Sequence, residues 1–60
     1  MTDLARKMLD AITATPQQFH DIVAAHPNVP WRTLLKAWGE LRAADLLTRD
    51  EFGNYIPKKV

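Results

Sequence analysis

Apolar residues near the start of the chain recur every three or four positions, which is the spacing of one face of an α-helix. These positions are Leu4, Met8, Ala11 and Ile12. Thr2 or Asp3 precedes them, and either side chain can accept a hydrogen bond from the first helical turn. The pattern therefore predicts a first helix over residues 3–14.

A second start signal for a helix follows directly. Thr15 can act as the cap, Pro16 suits the first helical position, and Gln18 completes a capping box. The apolar positions that follow at helical spacing are Phe19, Ile22 and Val23. Because Pro27 disfavours helical geometry in the residue before it, we predict a second helix over residues 16–25.

The third helical pattern is the clearest of the three. Its apolar positions are Leu34, Ala37, Trp38 and Leu41. Pro30 suits the first turn and the period ends near Ala44, so the pattern predicts a helix over residues 30–44. The break before it, residues 26–29, is short, and so short a connection between two helices favours a helix-turn-helix arrangement.

The period changes after the third helix, where two short apolar runs flank a turn. The apolar runs are Leu46-Leu47 and Tyr55-Ile56, and the turn between them contains Gly53-Asn54. Both turn residues tolerate the positive φ that a hairpin requires, and Pro57 requires that the second arm be an edge strand or end at this residue. We therefore predict a β-hairpin over residues 46–57, within one mainly helical α+β domain that spans residues 1–60.

The order of helix, helix, turn, helix and hairpin resembles the winged-helix family of DNA-binding domains. The positions that match the buried residues of the family's recognition helix are Leu34, Trp38 and Leu41. Residues 44–49 resemble the exit from that helix into the first wing strand, with Asp45 where the family commonly has glycine. Aspartate can adopt the left-handed conformation required there. The resemblance covers residues 4–58 and implies a three-helix winged helix-turn-helix with a C-terminal two-stranded β-hairpin, acting in transcription regulation.

The resemblance also implies that the outward, N-terminal half of helix three enters the major groove of double-stranded DNA. Arg32 can contact a guanine edge or a phosphate, Lys36 suits a phosphate, and Thr33 can reach a phosphate or a thymine methyl. The residues expected to support them at the DNA backbone are Arg49, Lys58 and Lys59. On the charges alone, an ordinary solvated surface is the favoured interpretation of Arg32 and Lys36, and the family resemblance makes the two interpretations about equal.

Two residues of helix three favour a different partner. Trp31 and Leu35 lie four apart at the border between the buried and outward faces, where Trp31 can also pack on the hairpin or helix two as core. An exposed Trp–Leu pair beside a basic residue is typical of a protein interface. Asp50 and Glu51 near the hairpin turn would repel phosphates. The alternative hypothesis is therefore a protein-interaction module, which binds a protein partner within a larger assembly or forms a homodimer.

The composition argues against an enzyme. The chain contains neither cysteine nor serine, so the common nucleophiles are missing. His20 and His26 are six apart, which places them on different sides of a helix rather than at metal-ligand spacing. We therefore expect no catalytic residues, no metal, no cofactor and no small-molecule substrate.

Net charge and hydropathy do not identify the binding partner. The formal net charge of +1 is only mildly basic, so it neither establishes nor excludes DNA binding. No stretch approaches the roughly 18 apolar residues of a membrane span. Asp3 and Asp10 interrupt the region where a signal peptide would have its apolar core. We therefore expect a cytoplasmic protein that does not bind membranes.

Overall fold

The computed structural model describes residues 1–58, which form three helices followed by a two-stranded antiparallel hairpin. The elements are α1 (Asp3–Ala14), α2 (Phe19–Ala25), α3 (Trp31–Ala43), β1 (Leu47–Arg49) and β2 (Tyr55–Pro57). The predicted fold class, a mainly helical α+β domain with a C-terminal hairpin, is confirmed. Within the described range, every helix is too short or too polar to span a membrane.

The first helix has the predicted bounds, and Thr2 caps it. The Thr2 hydroxyl oxygen accepts a hydrogen bond from the backbone N–H of Ala5 at 3.2 Å. The same hydroxyl donates to Oε2 of Glu40 on α3 at 2.7 Å, and the Thr2 backbone N–H donates to that oxygen at 3.2 Å. One residue therefore both caps α1 and joins its N-terminus to α3.

This junction predicts a pH dependence of stability. The two hydrogen bonds from Thr2 lower the pKa of the Glu40 carboxyl below its ordinary value of 4.5. The stabilisation is fully present above that ordinary value and is lost as the pH falls through the lowered pKa of the folded state. In urea unfolding from about pH 6 to about pH 2.5, the wild type should lose more free energy of unfolding than Glu40→Gln.

The matched control for this experiment is Glu51→Gln. The exposed Glu51 carboxylate accepts no side-chain hydrogen bond and forms no salt bridge within residues 1–58. The control should therefore keep the acid sensitivity of the wild type. Equal acid sensitivity in the wild type and Glu40→Gln would contradict the proposed role of Glu40.

The second helix begins at Phe19, so the predicted start at residue 16 is wrong. Gln17 instead pairs with Tyr55 of β2 in an antiparallel bridge, with N···O distances of 3.2 and 2.6 Å. The cap is Gln18, whose backbone N–H donates to a carboxylate of the first turn at 3.1 Å. The capping pattern at residues 15–18 favours an earlier start of the helix. The backbone N–H and C=O of Gln17 instead form hydrogen bonds with β2, so they are not used in the helix.

The core forms between α1 and α3, with one residue from α2. Its buried side chains are Ala5, Met8, Ile12, Ile22, Leu34, Ala37, Trp38 and Leu41. All of them except Ala5 belong to the apolar positions that predicted the helices. The third helix is one residue shorter at each end than the predicted range 30–44, because Pro30 and Ala44 are its caps.

A chain of aromatic contacts anchors the hairpin to the helices. Phe19 of α2 contacts Trp31 and Trp38 of α3, with ring centroids 5.8 and 4.9 Å apart respectively. Trp38 also contacts Tyr55 of β2 in an edge-to-face arrangement at 4.9 Å. A two-stranded hairpin is marginal alone, so these contacts and the bridge from Gln17 hold it against the helices.

Two residues with positive φ shape the hairpin. Asp45, which follows the C-cap residue of α3, has a φ of 58°, the left-handed conformation predicted for this position. Gly53 has a φ of 81°, whereas Asn54 does not adopt this conformation. The register pairs Leu47 with Pro57, Thr48 with Ile56 and Arg49 with Tyr55. The strands thus lie within the predicted range 46–57, and Gly53 alone supplies the left-handed turn residue.

Candidate nucleic-acid interface

Helix α3 presents a polar side to solvent because its apolar side is buried in the core. At 100° per residue, the side opposite the buried positions carries Arg32 and Lys36, with Thr33 on its flank. All three residues are exposed. We call Arg32, Thr33 and Lys36 the basic face.

The two cations of the basic face lie one helical turn apart, where side chains are neighbours. Neither Arg32 nor Lys36 forms a salt bridge within residues 1–58. Lys36 also lies one turn before Glu40, and its charge adds to the Thr2 hydrogen bonds in lowering the Glu40 pKa. The Glu40 carboxylate accepts its hydrogen bonds from Thr2, and both cations of the basic face lie in the N-terminal half of α3.

Gly39 lies on the same outward side of α3. A Cβ added there meets no atom within 4 Å, so packing in the described structure does not require glycine. Glycine inside a helix costs about 1 kcal/mol relative to alanine. The missing side chain lets the backbone of a partner approach α3 closely at this turn.

Arg49 on β1 is held in place by Tyr55. Its Nη2 donates to the Tyr55 hydroxyl at 2.8 Å, and its guanidinium carbon lies 4.8 Å from the centroid of the ring. Tyr55 in turn packs on Trp38. A phenol does not neutralise the guanidinium, so the exposed Arg49 keeps its charge and its remaining N–H donors for a partner.

Lys58, one of the two C-terminal lysines predicted to support DNA binding, differs from Arg49 because it is paired with a carboxylate. The Lys58 ammonium lies 2.6 Å from the Asp45 carboxylate in an exposed ion pair, which offsets its charge. Lys59 lies outside the described residues. The structure therefore adds one uncompensated cation, Arg49, to the two on the basic face.

Trp31 is 55% exposed, so the alternative in which it is a core residue is wrong. Its ring edge contacts Phe19, but most of the side chain faces solvent. Leu35, one helical turn later, is 44% exposed. We call Trp31 and Leu35 the apolar flank, because they lie on α3 directly beside the basic face.

A third exposed apolar side chain lies at the hairpin tip, which we define as residues 50–53. Phe52 there is 76% exposed, and sequence reasoning missed it. The signal that could have revealed it is an aromatic residue directly before the turn glycine. Asp50 and Glu51 lie at the same tip, so its charge is negative and opposite to that of the basic face.

Comparison with known proteins assigns no family, because no family model, curated protein or solved structure matches the chain. Three surfaces of the described residues offer contacts to a partner: the basic face, the apolar flank and the hairpin tip. The basic face can bind an anion, the apolar flank can bind an apolar partner, and the hairpin tip carries an aromatic side chain among acidic ones.

Proposed function

We propose that this protein binds double-stranded DNA through α3, as a small transcription regulator of the winged-helix type. The observation that carries the proposal is the basic face, where Arg32 and Lys36 are exposed one turn apart on a helix that follows a short turn. An α-helix fits the major groove, and the N-terminal residues of such a helix reach the base edges. The cytoplasmic location expected from the sequence belongs to the same proposal.

The side chains divide into one that reads bases and others that bind the backbone. The planar guanidinium of Arg32 matches the O6 and N7 acceptors of guanine, whereas the compact ammonium of Lys36 suits a phosphate. Thr33 on the flank suits a phosphate or a thymine methyl. Arg49 adds a phosphate contact from the hairpin, and its bonds to Tyr55 reduce the side-chain freedom that binding removes.

This arrangement predicts the salt dependence of binding. Arg32, Lys36 and Arg49 have no carboxylate partner within residues 1–58, so the contact neutralises about as many phosphates as it has such cations. Each neutralised phosphate contributes about −0.9 to the slope of log affinity against log salt, which predicts a slope of about −3. A backbone-amide NMR titration with a short mixed-sequence duplex, at low and at physiological salt, measures both slope and contacts.

Shifts at residues 31–36 and around Arg49 that weaken as salt rises are the expected result of that titration. A duplex affinity that does not change with salt concentration would contradict the DNA proposal. So would shifts that avoid α3 altogether, because the basic face would then have no part in the contact.

The exposure of Trp31 and Leu35 favours a second candidate function, which is binding to another protein. Large apolar anchors supply much of the energy of protein interfaces, and exposing them to water without a partner is unfavourable. The same NMR experiment separates the two candidates. Amide chemical shifts that do not change on adding DNA, together with concentration-dependent broadening around Trp31 and Leu35, would favour protein contact.

A further inference from the structure

Besides Met1 at the start of the chain, the exposed large apolar side chains within residues 1–58 lie in two patches. One is the apolar flank on α3, where Trp31 and Leu35 are 55% and 44% exposed. The other is Phe52 at the hairpin tip, which is 76% exposed and contacts no other aromatic ring in the described part of the chain. Within one chain, neither patch covers the other.

The hairpin tip holds Phe52 on a fixed backbone. Oδ1 of Asp50 accepts hydrogen bonds from the backbone N–H groups of Phe52 and Asn54, both at 2.9 Å. The Gly53 N–H donates to the Asp50 carbonyl at 3.1 Å and closes the turn. A side chain on a pre-organised turn loses little backbone freedom on binding, so Phe52 has the properties of an interface anchor.

The charges beside the two patches are opposite. Asp50 and Glu51 directly precede Phe52, whereas Arg32 and Lys36 directly follow Trp31 and Leu35 in sequence. No salt bridge joins the two groups within residues 1–58. Opposite charges across an interface steer association and fix its register.

We propose that the hairpin tip of one copy of this protein docks on α3 of a second copy. Phe52 packs against the apolar flank, and Glu51 faces Arg32 and Lys36. The chain itself carries both halves of this contact, an acidic surface with an aromatic anchor and a basic surface with an apolar pair. This inference rests on the second function proposed above, whose partner it names, and is independent of DNA binding.

The contact gives a closed dimer when each copy docks its hairpin tip on α3 of the other copy. Each copy offers one hairpin tip and one α3 surface, so a pair with twofold symmetry makes the contact twice and leaves neither surface open. The contact is small, so association is weak and depends on protein concentration. It covers the basic face, and therefore DNA and the second copy compete for α3.

Charge reversal on each side of the contact tests whether the tip of one copy binds α3 of another. Glu51→Lys leaves the tip with one anion and one cation, so with no net charge, and places that cation against Arg32 and Lys36. Arg32→Glu likewise leaves the basic face with no net charge and places an anion against Glu51. Sedimentation velocity should show that each variant alone associates at least about tenfold more weakly than the wild type. An equimolar mixture of the two should associate again, because one contact of the mixed pair is that of the wild type and in the other contact the two substituted charges are opposite in sign.

One further variant tests the aromatic anchor, and two matched charge variants serve as controls. Phe52→Ala should weaken association about tenfold without changing charge. Asp10→Lys and Arg6→Glu make the same two charge changes at exposed positions of α1, and they should leave association unchanged. Circular dichroism establishes that each variant is folded.

A wild type that stays monomeric at about 1 mM would overturn the proposal, since an affinity weaker than that is negligible. A mixture of Glu51→Lys and Arg32→Glu that does not associate would overturn it as well. So would full association of Phe52→Ala. The duplex titration stays a separate measurement, because Phe52→Ala leaves the basic face intact and should bind DNA like the wild type at protein concentrations where the wild type is monomeric.

Discussion

The double variant Arg32→Glu/Lys36→Glu is expected to bind duplex DNA about 100-fold more weakly than the wild type, or not at all. The substitutions replace both cations of the basic face with anions, so attraction to phosphates on α3 becomes repulsion. Both side chains are exposed and unpaired within residues 1–58, so the fold does not depend on them. Fluorescence anisotropy of a labelled duplex at about 50 mM salt measures the loss.

The matched control is Arg6→Glu/Lys7→Glu on α1. It changes the net charge by the same amount, at two residues that are likewise exposed. Long-range repulsion lowers affinity equally in both double variants, whereas a contact by α3 lowers it much more in the first. Equal losses would contradict an interface on α3 and leave only nonspecific attraction.

Trp38→Ala is expected to unfold most of the protein at 25 °C. Trp38 is 6% exposed and contacts both Phe19 and Tyr55, so the substitution opens a cavity and releases the hairpin from the helices. Replacing a buried tryptophan by alanine costs about 3–5 kcal/mol, and a core of this size supplies no more than about 3–5 kcal/mol in total. Circular dichroism and the dispersion of the amide NMR spectrum measure the folded fraction.

Trp31→Ala is the control for this prediction, because it makes the same change on the same helix. Trp31 is 55% exposed and contacts only Phe19 among the aromatic residues described. Its loss should cost about 0.5–1.5 kcal/mol and leave the protein folded. Similar stability in the two variants would mean that the contact of Trp38 with Tyr55 does not hold the hairpin.

The helices were predictable because their apolar positions repeat with the helical period. The period places Leu34 and Leu41 inside and Arg32 outside, whatever α3 packs against. A cap at Thr2 or Asp3 was also predictable from residues next to it in sequence, whereas the left-handed Asp45 was expected from the family resemblance. Local chemistry was sufficient wherever the deciding contact was local.

The start of α2 was not predictable in the same way. The start signal at residues 15–18 suits a helix, yet the backbone of Gln17 bonds to Tyr55, a residue far away in sequence. A local pattern carries no information about a partner that the fold brings from another element. The pairing of Lys58 with Asp45, which offsets a cation predicted to bind DNA, depends on the same kind of contact.

The sequence by itself determined which residues share a face of each helix, because the 3.6-residue period fixes this geometry. It placed Trp38 inside but left open whether Trp31, seven residues earlier and at the border of the same side of α3, is core or exposed. Only the tertiary structure buries Trp38, since Phe19 and Tyr55 both pack on it, whereas Trp31 meets Phe19 alone. Which apolar residues remain exposed for a partner is therefore decided by where the hairpin packs.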